Sequence, residues 1–545
     1  MTATIAAPAN QQTPPPSASR TRVYIGGIAR TAAGFGIVIV AWEVIARLVL
    51  GGTNLIAPPT GIVSSWIDNW DLYQRAMSAT LWSAARGFFW GNLAAVTLAG
   101  FVVLAPATER VVLRLSLVIF CLPLVAMGPI LRVVWGTGDG PQVTLAALAV
   151  FYTTLVPLLV GFRAVPQSWT DLVHSYGRGR FRVLTTVRIR ASVPYLFAGL
   201  QVAAPAAFLG ALVGEFTGAQ RGMGLLTINS MRALRTNDLW AVATISALVS
   251  MAAYVIVGMV GRRLAIGQPA LLMTPPSGGP AITTRRRVIR ALTEAAISVS
   301  IVLVLWIGLM AVLDLDNYFA KRPADVWDYL FGRPASQANR TEILDALSGT
   351  ARIAIPGYIV GLVLGAVFAA LFDLYDTVRR TLTPFAVALR CVPIVVIAPL
   401  LVQAFGRGMT GTTTTVAIMT FFPTLVACSH GLRQTPGQVL EFYSVYDTGR
   451  VRTLLSGQVP AMVPAFFAAA RIAVPTTVLA ATVAEWLATG TGMGNLMALT
   501  AVNSRYETLW ACIFVVTVIV AAAYGVVAIV EQWVLARVAP EQLSW

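Results

Sequence analysis

The 545-residue sequence is poor in charge, and this shortage excludes most soluble proteins. Only 11% of its residues are charged, whereas 57% are hydrophobic. An average soluble domain has roughly twice that charged fraction, so a soluble multidomain enzyme is excluded. Because one membrane crossing needs about 20 residues, the length predicts a polytopic membrane protein with room for about twelve crossings.

Lysine is nearly absent, since Lys321 is the only one in the chain. A P-loop needs the pattern G-x-x-x-x-G-K-[ST], because its lysine reaches the terminal phosphates of a bound nucleotide. Lys321 is followed by Arg322, so the chain carries no P-loop. If ATP drives this protein, a separate polypeptide hydrolyses it, and we expect this chain not to be an enzyme.

Histidine and cysteine are scarce as well. The two histidines, His174 and His430, lie far apart in the sequence, and the cysteines do not have the spacing of a zinc site. A metal site or a nucleophile–base pair therefore has little to be built from, and we expect neither metal nor cofactor. The same inventory makes an integral membrane enzyme a poor alternative. The four cysteines fall inside apolar runs, at Cys121, Cys391, Cys428 and Cys512.

The net charge of +16 comes from arginines in short segments that flank apolar runs. These arginines form no long basic stripe with interleaved aromatic residues, so we do not expect a nucleic-acid partner. Short cytoplasmic loops of membrane proteins concentrate arginine. Three arginine-rich segments fall on one side of a six-span topology, at 20–30, 178–190 and 262–263. The pattern predicts that both termini and the central linker are cytoplasmic.

The sequence contains an internal duplication. It aligns with itself without a gap at an offset of 270 residues, from Gly87 and Gly357 to Trp240 and Trp510. Membrane composition alone would match Leu, Val and Ala, but it would not align many Pro, Gly and charged positions in one register. The matched positions include Pro123/Pro393, Arg163/Arg433, Pro205/Pro475, Glu215/Glu485 and the triplets 222–224 and 492–494, both Gly-Met-Gly.

Each half contains six apolar runs, and an even number per half predicts parallel repeats. The predicted fold class is therefore an all-α polytopic membrane protein with two parallel six-helix repeats and 12 transmembrane helices. We predict a disordered cytoplasmic tail at 1–29, a first domain at 30–263, a cytoplasmic linker at 264–288 and a second domain at 289–545. The runs lie near 31–50, 84–105, 113–135, 142–162, 192–214 and 239–260, and then near 290–313, 354–372, 382–404, 411–431, 462–484 and 508–535.

Between the fourth and fifth runs, each half has a polar stretch of some 30 residues that suits docking to a soluble partner. An acidic residue begins a short amphipathic helix, a small or polar residue lets the chain turn, and apolar residues lead into the next span. The aromatic residues in these stretches are candidates for anchoring a partner, although they could instead pack on the ends of the protein's own spans. The candidate docking residues are Asp171, Tyr176, Gly177, Phe181, Glu441, Phe442, Tyr443, Tyr446 and Pro460.

These stretches resemble the E-A-A, x3, G, x9, I-x-L-P loop of the membrane permeases of binding-protein-dependent ABC importers. Both keep the spacing, but Arg190 stands at the proline of the first loop. In the second loop, Asp447 stands at the glycine and Gly457 at the isoleucine. Pieces outside the loop, such as the Gly-Met-Gly triplets, are similar to the nitrate/sulfonate/taurine-type permeases, which have the type I importer fold.

The resemblance implies a mechanism. Two six-span units form one pathway, an extracytoplasmic binding protein delivers a small solute, and two ATPase subunits dock on the cytoplasmic loops. It also implies a bacterial inner-membrane location and an anionic solute of the sulfonate, taurine or nitrate kind. This chain would supply both units.

Four charged residues near or within the spans are candidates for the pathway. A charge in hydrocarbon is costly and usually faces a cavity or a partner. At 1.5 Å per residue, Arg390 and Arg471 lie about 12 and 14 Å into their spans, where they could attract an anion, snorkel or form a structural pair. Glu215 and Glu485 close the fifth spans, where each is a candidate outer-gate residue or merely interfacial.

A six-plus-six secondary transporter is the main alternative, since it also has parallel halves. Such carriers usually use intramembrane carboxylates for ion coupling. Glu43 is the one acidic residue well inside a predicted span, with Glu294 and Glu531 near span ends. This inventory favours the ABC permease.

Overall fold

The computed structural model describes residues 36–49 and 56–538, except 38, 137, 265–283, 376–377, 379–385, 387–388, 390 and 407. Over these residues the chain forms helices and turns and no β-strand. The all-α polytopic fold with two repeats is confirmed. The predicted tail at 1–29 and most of the linker at 264–288 lie outside the described residues. A helix begins at Thr284, within the last residues assigned to the linker.

The first half consists of ten described α-helices that follow a π-helical turn at Ile45–Val49. A further π-turn, Leu184–Arg188, joins α7 to α8. The helices are α1 Pro59–Asp68, α2 Trp70–Leu104, α3 Glu109–Cys121, α4 Leu124–Trp135, α5 Gly140–Arg163, α6 Gln167–Ser175, α7 Arg180–Val183, α8 Ile189–Phe216, α9 Met223–Arg232 and α10 Thr236–Leu264.

The second half has counterparts of most of these helices, although the counterpart of α3 lies largely outside the described residues. Its π-turns lie at Asp328–Gly332, Leu454–Gln458 and Glu485–Thr489. The helices are α11 Thr284–Val312, α12 Pro323–Trp327, α13 Ser336–Leu374, α14 Ile394–Phe405, α15 Met409–Arg433, α16 Gly437–Val445, α17 Arg450–Thr453, α18 Val459–Ala484, α19 Gly492–Val502 and α20 Tyr506–Val538.

The duplication seen in the sequence is reproduced in backbone detail. Helices α7 and α17 begin at residues related by the offset of 270, as do α10 and α20. Even the unusual left-handed residues recur, since Leu234 and Ser504 have φ of 54° and 56° at equivalent positions. Positive φ is uncommon for residues other than glycine, so its recurrence shows that both halves follow the same path.

Eight of the described helices are long and apolar enough to cross a membrane, and a bent pair could make nine. The predicted twelve includes runs that these helices do not cover. The run near 31–50 and the run near 382–404 lie partly outside the described residues. The run near 290–313 corresponds to α11, whose described apolar part is the shorter stretch Ala296–Val312. The protein is a multi-pass membrane protein.

The third predicted span of the first half is not one straight helix. The chain bends by 93° between Pro106–Cys121 and Leu124–Trp135. Pro123 causes the break, because a proline disfavours helical geometry in the residue before it. Leu122 accordingly has the extended angles φ −62° and ψ 132°. The predicted span at 113–135 is therefore a bent pair of helices.

Small residues bring the helices of each half close together. A Cβ atom on Gly87 would lie 2.3 Å from the Cβ of Ala146, and one on Gly357 would lie 2.7 Å from the Cβ of Val416. Both contacts join equivalent helix pairs, α2 with α5 and α13 with α15. Close backbone approach at small residues is a main source of helix association in membranes, so these glycines fix the packing of each half.

The two halves pack against each other. Val396 and Leu400 of α14 belong to an apolar cluster made mainly of first-half residues. The rings of Phe216 and Trp486 meet edge-on with centroids 5.7 Å apart. Helix α3 of the first half contacts α11 and α20 of the second. The halves therefore form one body with a shared interface.

Candidate functional site

A cavity of about 210 Å³ lies between the two halves and is lined by equivalent positions of both. Its walls are mainly apolar side chains of α4, α5 and α8 and of their counterparts α14, α15 and α18. We call it the central cavity. Its paired lining positions include Leu122/Val392, Leu124/Ile394, Leu148/Ile418, Val202/Ile472, Pro205/Pro475 and Leu209/Leu479.

The arginine candidates differ in what the structure says of them. Arg390 lies outside the described residues. Arg471 in α18 forms an ion pair with Glu531 of α20, with Nε and Oε2 3.0 Å apart and side chains 14% and 7% exposed. A buried pair of this kind carries no net charge. At the equivalent position of the first half, Gln201 lies against Gly258.

The two polar loops fold alike despite their different sequences. Each has a nine-residue helix, α6 or α16, followed by a one-turn helix, α7 or α17, and a π-turn that leads into the fifth span. Gly177 and Asp447 end the nine-residue helices with φ of 69° and 44°. Their N–H groups donate to the carbonyls of His174 and Ser444 at 2.9 and 3.1 Å.

This left-handed position explains why Asp447 replaces a glycine without changing the loop. A left-handed residue commonly ends a helix, and Asp tolerates that conformation better than most side chains. The next residues also match, because Arg178 N and Thr448 N bond back to Val173 O and Tyr443 O at 3.4 and 3.2 Å. Both loops thus keep the same helix end.

Most of the predicted docking residues project from these loops. Tyr176 and Phe181 are 75% and 66% exposed, and Phe442 and Tyr446 are 57% and 67% exposed. The rings of Phe442 and Tyr446 lie 5.0 Å apart and form one aromatic surface. The acidic residues Asp171 and Glu441 are exposed on the same helices, whereas Pro460 is half-buried in the first turn of α18.

Tyr443 is the exception among these aromatic residues, because it is half-buried within its own loop. A Cβ atom on Gly457 would lie 2.8 Å from Cε2 of Tyr443. Tyr443 stands at the second alanine of the permease loop pattern and Gly457 at its isoleucine, so these two departures form one structural unit. A large ring at Tyr443 fits because the position of the usual isoleucine has no side chain.

Glu215 and Glu485 are buried, with exposed fractions of 2% and 0%. The Glu215 carboxylate accepts hydrogen bonds from Thr80 Oγ1 at 2.6 Å and from Gly224 N at 2.7 Å. Met223 N in turn donates to Thr80 Oγ1 at 2.9 Å. The carboxylate thus ties α2, the end of α8 and the start of α9 together.

The second half makes the same contacts with equivalent residues, although Glu485 accepts both hydrogen bonds on Oε2, whereas Glu215 uses both carboxylate oxygens. Glu485 accepts from Thr350 Oγ1 and Gly494 N, both at 2.9 Å, and Met493 N donates to Thr350 Oγ1 at 2.9 Å. A negative group at a helix N-terminus is favoured by the exposed N–H groups there. We call the two arrangements the glutamate clasps.

Sequence reasoning missed the threonines of the clasps and the aromatic residues beside Arg471. Thr80 and Thr350 obey the same offset of 270, but they lie just before the self-alignment begins at Gly87. Tyr152 and Tyr524 approach each other across the interface of the halves, with their hydroxyls 3.4 Å apart. Aligning the two repeats could not have identified this pair, because the alignment shows equivalent positions and not contacts between the halves.

Comparison with known proteins places the chain in a family. The model of the family described as "Binding-protein-dependent transport system inner membrane component" matches twice, at residues 87–266 and 361–536. The two matches together cover more than half of the chain and correspond to the two repeats.

Individual relatives match one repeat's length or less. A probable ABC transporter permease protein of Haemophilus influenzae is 27% identical over 246 residues, covering 45% of this chain and 96% of that protein. A riboflavin transport system permease protein of Chloroflexus aurantiacus is 33% identical over 144 residues, 26% of this chain and 53% of that protein. A taurine transport system permease protein of Escherichia coli is 23% identical over 222 residues, 39% of this chain and 80% of that protein.

The two family matches coincide with the two structural repeats, so the chain carries two such units in tandem. This chain therefore belongs to the binding-protein-dependent transport system inner membrane components, the permeases of ABC importers.

Proposed function

We propose that this single chain forms the whole translocation pathway of an ATP-driven importer of small solutes. The observation that carries the proposal is the central cavity, whose walls come from equivalent positions of both halves. Family membership supports the same function. In this proposal residues 30–263 and 289–545 are the two permease domains, and 264–288 is the cytoplasmic linker between them.

Two separate ATPase subunits would drive transport from the cytoplasmic face of a bacterial inner membrane. The exposed residues of the two polar loops support docking there, with Tyr176 and Phe181 on one loop and Phe442 and Tyr446 on the other. Arginines cluster around these loops, which supports their cytoplasmic placement and that of both termini. Each loop would receive one ATPase subunit.

An extracytoplasmic binding protein would deliver the solute to the opposite face. The buried carboxylates of Glu215 and Glu485 are not available to touch that protein directly. They would act on the outer gate by holding α9 and α19 in place. The clasps are therefore proposed as positioning elements of the gate.

A small anion of the sulfonate, taurine or nitrate kind is the first candidate solute. Relatives whose names specify aliphatic sulfonates and taurine support it. The neutral pairing of Arg471 with Glu531 limits its pull on an anion, so Arg390 would have to contribute. A flat heterocycle is the second candidate, favoured by the aromatic residues near Arg471 and by the relative named for riboflavin.

Reconstitution in liposomes with the presumed ATPase and binding protein tests the function. We expect uptake that needs ATP and continues when ion gradients are collapsed. Uptake that stops with the gradient while ATP remains would overturn the proposal in favour of a secondary transporter. Arg390→Ala and Arg471→Ala test the anion candidate, which fails if taurine uptake is unchanged at normal expression.

A further inference from the structure

A second cavity of about 230 Å³ lies beside the central cavity, at the interface of the halves. Its lining includes Phe120 and Tyr152 of the first half and Arg471 and Tyr524 of the second. We call it the aromatic alcove and define it by these four residues. It shares the lining residues Phe120, Thr153, Val202 and Ile472 with the central cavity, so the two cavities are adjacent.

The alcove has an aromatic wall. The rings of Phe120 and Tyr152 are stacked, with centroids 4.4 Å apart and planes inclined by 10°. Tyr524 approaches from the other half, and its hydroxyl lies 3.4 Å from that of Tyr152. Flat aromatic side chains gain energy from stacking beyond the burial of their area. The wall is therefore suited to a planar ring.

Arg471 supplies a guanidinium to the alcove, which Arg114 of α3 also lines. Its guanidinium carbon lies 6.0 Å from the Tyr524 ring centroid, and its Nε faces Glu531 at 3.0 Å. A guanidinium has five N–H donors, more than one carboxylate can accept. Donors therefore remain for a ligand, but the Arg471–Glu531 pair is neutral and adds little long-range attraction for an anion.

The side chains of the alcove are not repeated at the equivalent positions of the other half. The positions equivalent to Phe120, Tyr152 and Arg471 are Arg390, Phe422 and Gln201. Exchanging these residues would remove the guanidinium from position 471 and the stacked pair from the wall. Two identical halves would place the same side chains on both sides of the pathway. The different side chains found here create one site that could hold a single solute.

We propose that the aromatic alcove binds a planar ring that carries a hydrogen-bond acceptor, and that it is a solute site on the import pathway. The ring packs on Phe120 and Tyr152, and the acceptor receives a hydrogen bond from Arg471. The inference rests on the proposed function, because it makes the alcove a branch of the central cavity. It predicts that the ring contributes more to binding than the negative charge does.

Three probes separate ring from charge: benzenesulfonate, benzenesulfonamide and methanesulfonate. Their binding to the full chain in lipid nanodiscs is measured by equilibrium dialysis. We expect the two ring probes to have dissociation constants within about threefold of each other, because both carry sulfonyl acceptors. Methanesulfonate should bind roughly tenfold more weakly or worse, because it lacks the stacking ring. Equal binding of methanesulfonate and benzenesulfonate would overturn the proposal.

Variants locate the site. Tyr152→Leu should weaken binding of both ring probes by roughly tenfold, since it removes the stacking surface. Phe368→Leu is the control, because this exposed aromatic residue of α13 lines neither cavity, and it should leave ring binding within about twofold. If Tyr152→Leu does not fold, Phe120→Leu replaces it. Ring binding that survives loss of the wall in the folded variant would overturn the site.

The role of Arg471 is tested by the double variant Arg471→Gln with Glu531→Gln, which leaves no unpaired charge. It should weaken both ring probes by roughly tenfold, because a charge-assisted hydrogen bond is lost. Unchanged binding would contradict the role of Arg471. If uptake depends on ATP but shows no preference for ring probes, the proposed solute site in the alcove is refuted and the proposed function stands. If ring probes bind but uptake does not depend on ATP, the proposed function is refuted and the binding site stands.

Discussion

Positions 201 and 471 occupy the same place in equivalent helices, yet they do different things. Gln201 packs against Gly258 within the first half, whereas Arg471 pairs with Glu531 and lines a cavity shared with the first half. The glutamate clasps, by contrast, join equivalent residues in both halves. The comparison teaches that the halves stayed alike where backbone segments must be held and diverged where side chains meet the pathway.

The largest expected effect would come from the clasps and would be equal in both halves. Glu215→Leu and Glu485→Leu each leave a buried glycine N–H without an acceptor, whereas the threonine hydroxyls can still donate to the carbonyls of Ala76 and Ala346. A buried unsatisfied polar group costs about 1–3 kcal/mol, so we expect a marked fall in the melting temperature of the purified chain. The matching Glu→Gln variants keep a carbonyl acceptor and should lose less. A loss confined to one half would break the equivalence of the clasps.

A smaller effect, confined to the second loop, would come from Gly457→Ile. The added side chain collides with the Tyr443 ring, and overpacking of this kind costs about 1–3 kcal/mol. We expect weaker binding of the ATPase subunits, measured by surface plasmon resonance. Adding Tyr443→Ala should restore binding by making room. Val187→Ile, at the equivalent first-half position, is the control, and an equal loss there would show that the two loops pack alike.

Substitutions at Gly177, the first-half counterpart of Asp447, should have a smaller effect on the free energy of unfolding. Gly177→Asp copies the second half and should change the free energy of unfolding only slightly. Gly177→Val should cost about 1–2 kcal/mol, because a β-branched side chain is disfavoured at positive φ. Chemical denaturation in detergent compares the two variants. If valine were tolerated as well as aspartate, the loop end would not depend on the left-handed conformation.

The smallest effect would come from ion pairs outside the spans. Arg505 donates to both oxygens of Glu342 at 2.9 and 2.7 Å, and these hydrogen bonds raise the pKa of the Arg505 guanidinium. Its counterpart Arg235 is 3.9 Å from Asp238. Since exposed pairs contribute about 0–1 kcal/mol, Arg505→Gln should destabilise slightly at low salt and Arg235→Gln not at all. The difference should shrink in high salt.

Much of this architecture could be predicted because the duplicated sequence shows which residues recur at equivalent positions of the two halves. Matched Gly, Pro and Glu positions identified the repeats, the loops and both clasp carboxylates. The bend at Pro123 was missed, because hydropathy does not distinguish a straight span from two short helices around a proline. The pairing of Arg471 with Glu531 was left open between alternatives, because it depends on how distant helices face each other. The compensation between Tyr443 and Gly457 is likewise visible only in three dimensions.

The central claim is that one chain supplies both halves of the pathway. Native mass spectrometry of the complex released from its membrane, with its ATPase subunits attached, tests this most directly. The account predicts one copy of the 545-residue chain and two ATPase subunits. Two copies of the chain with only two ATPase subunits would contradict it, because four permease units would then share one pair of ATPase subunits.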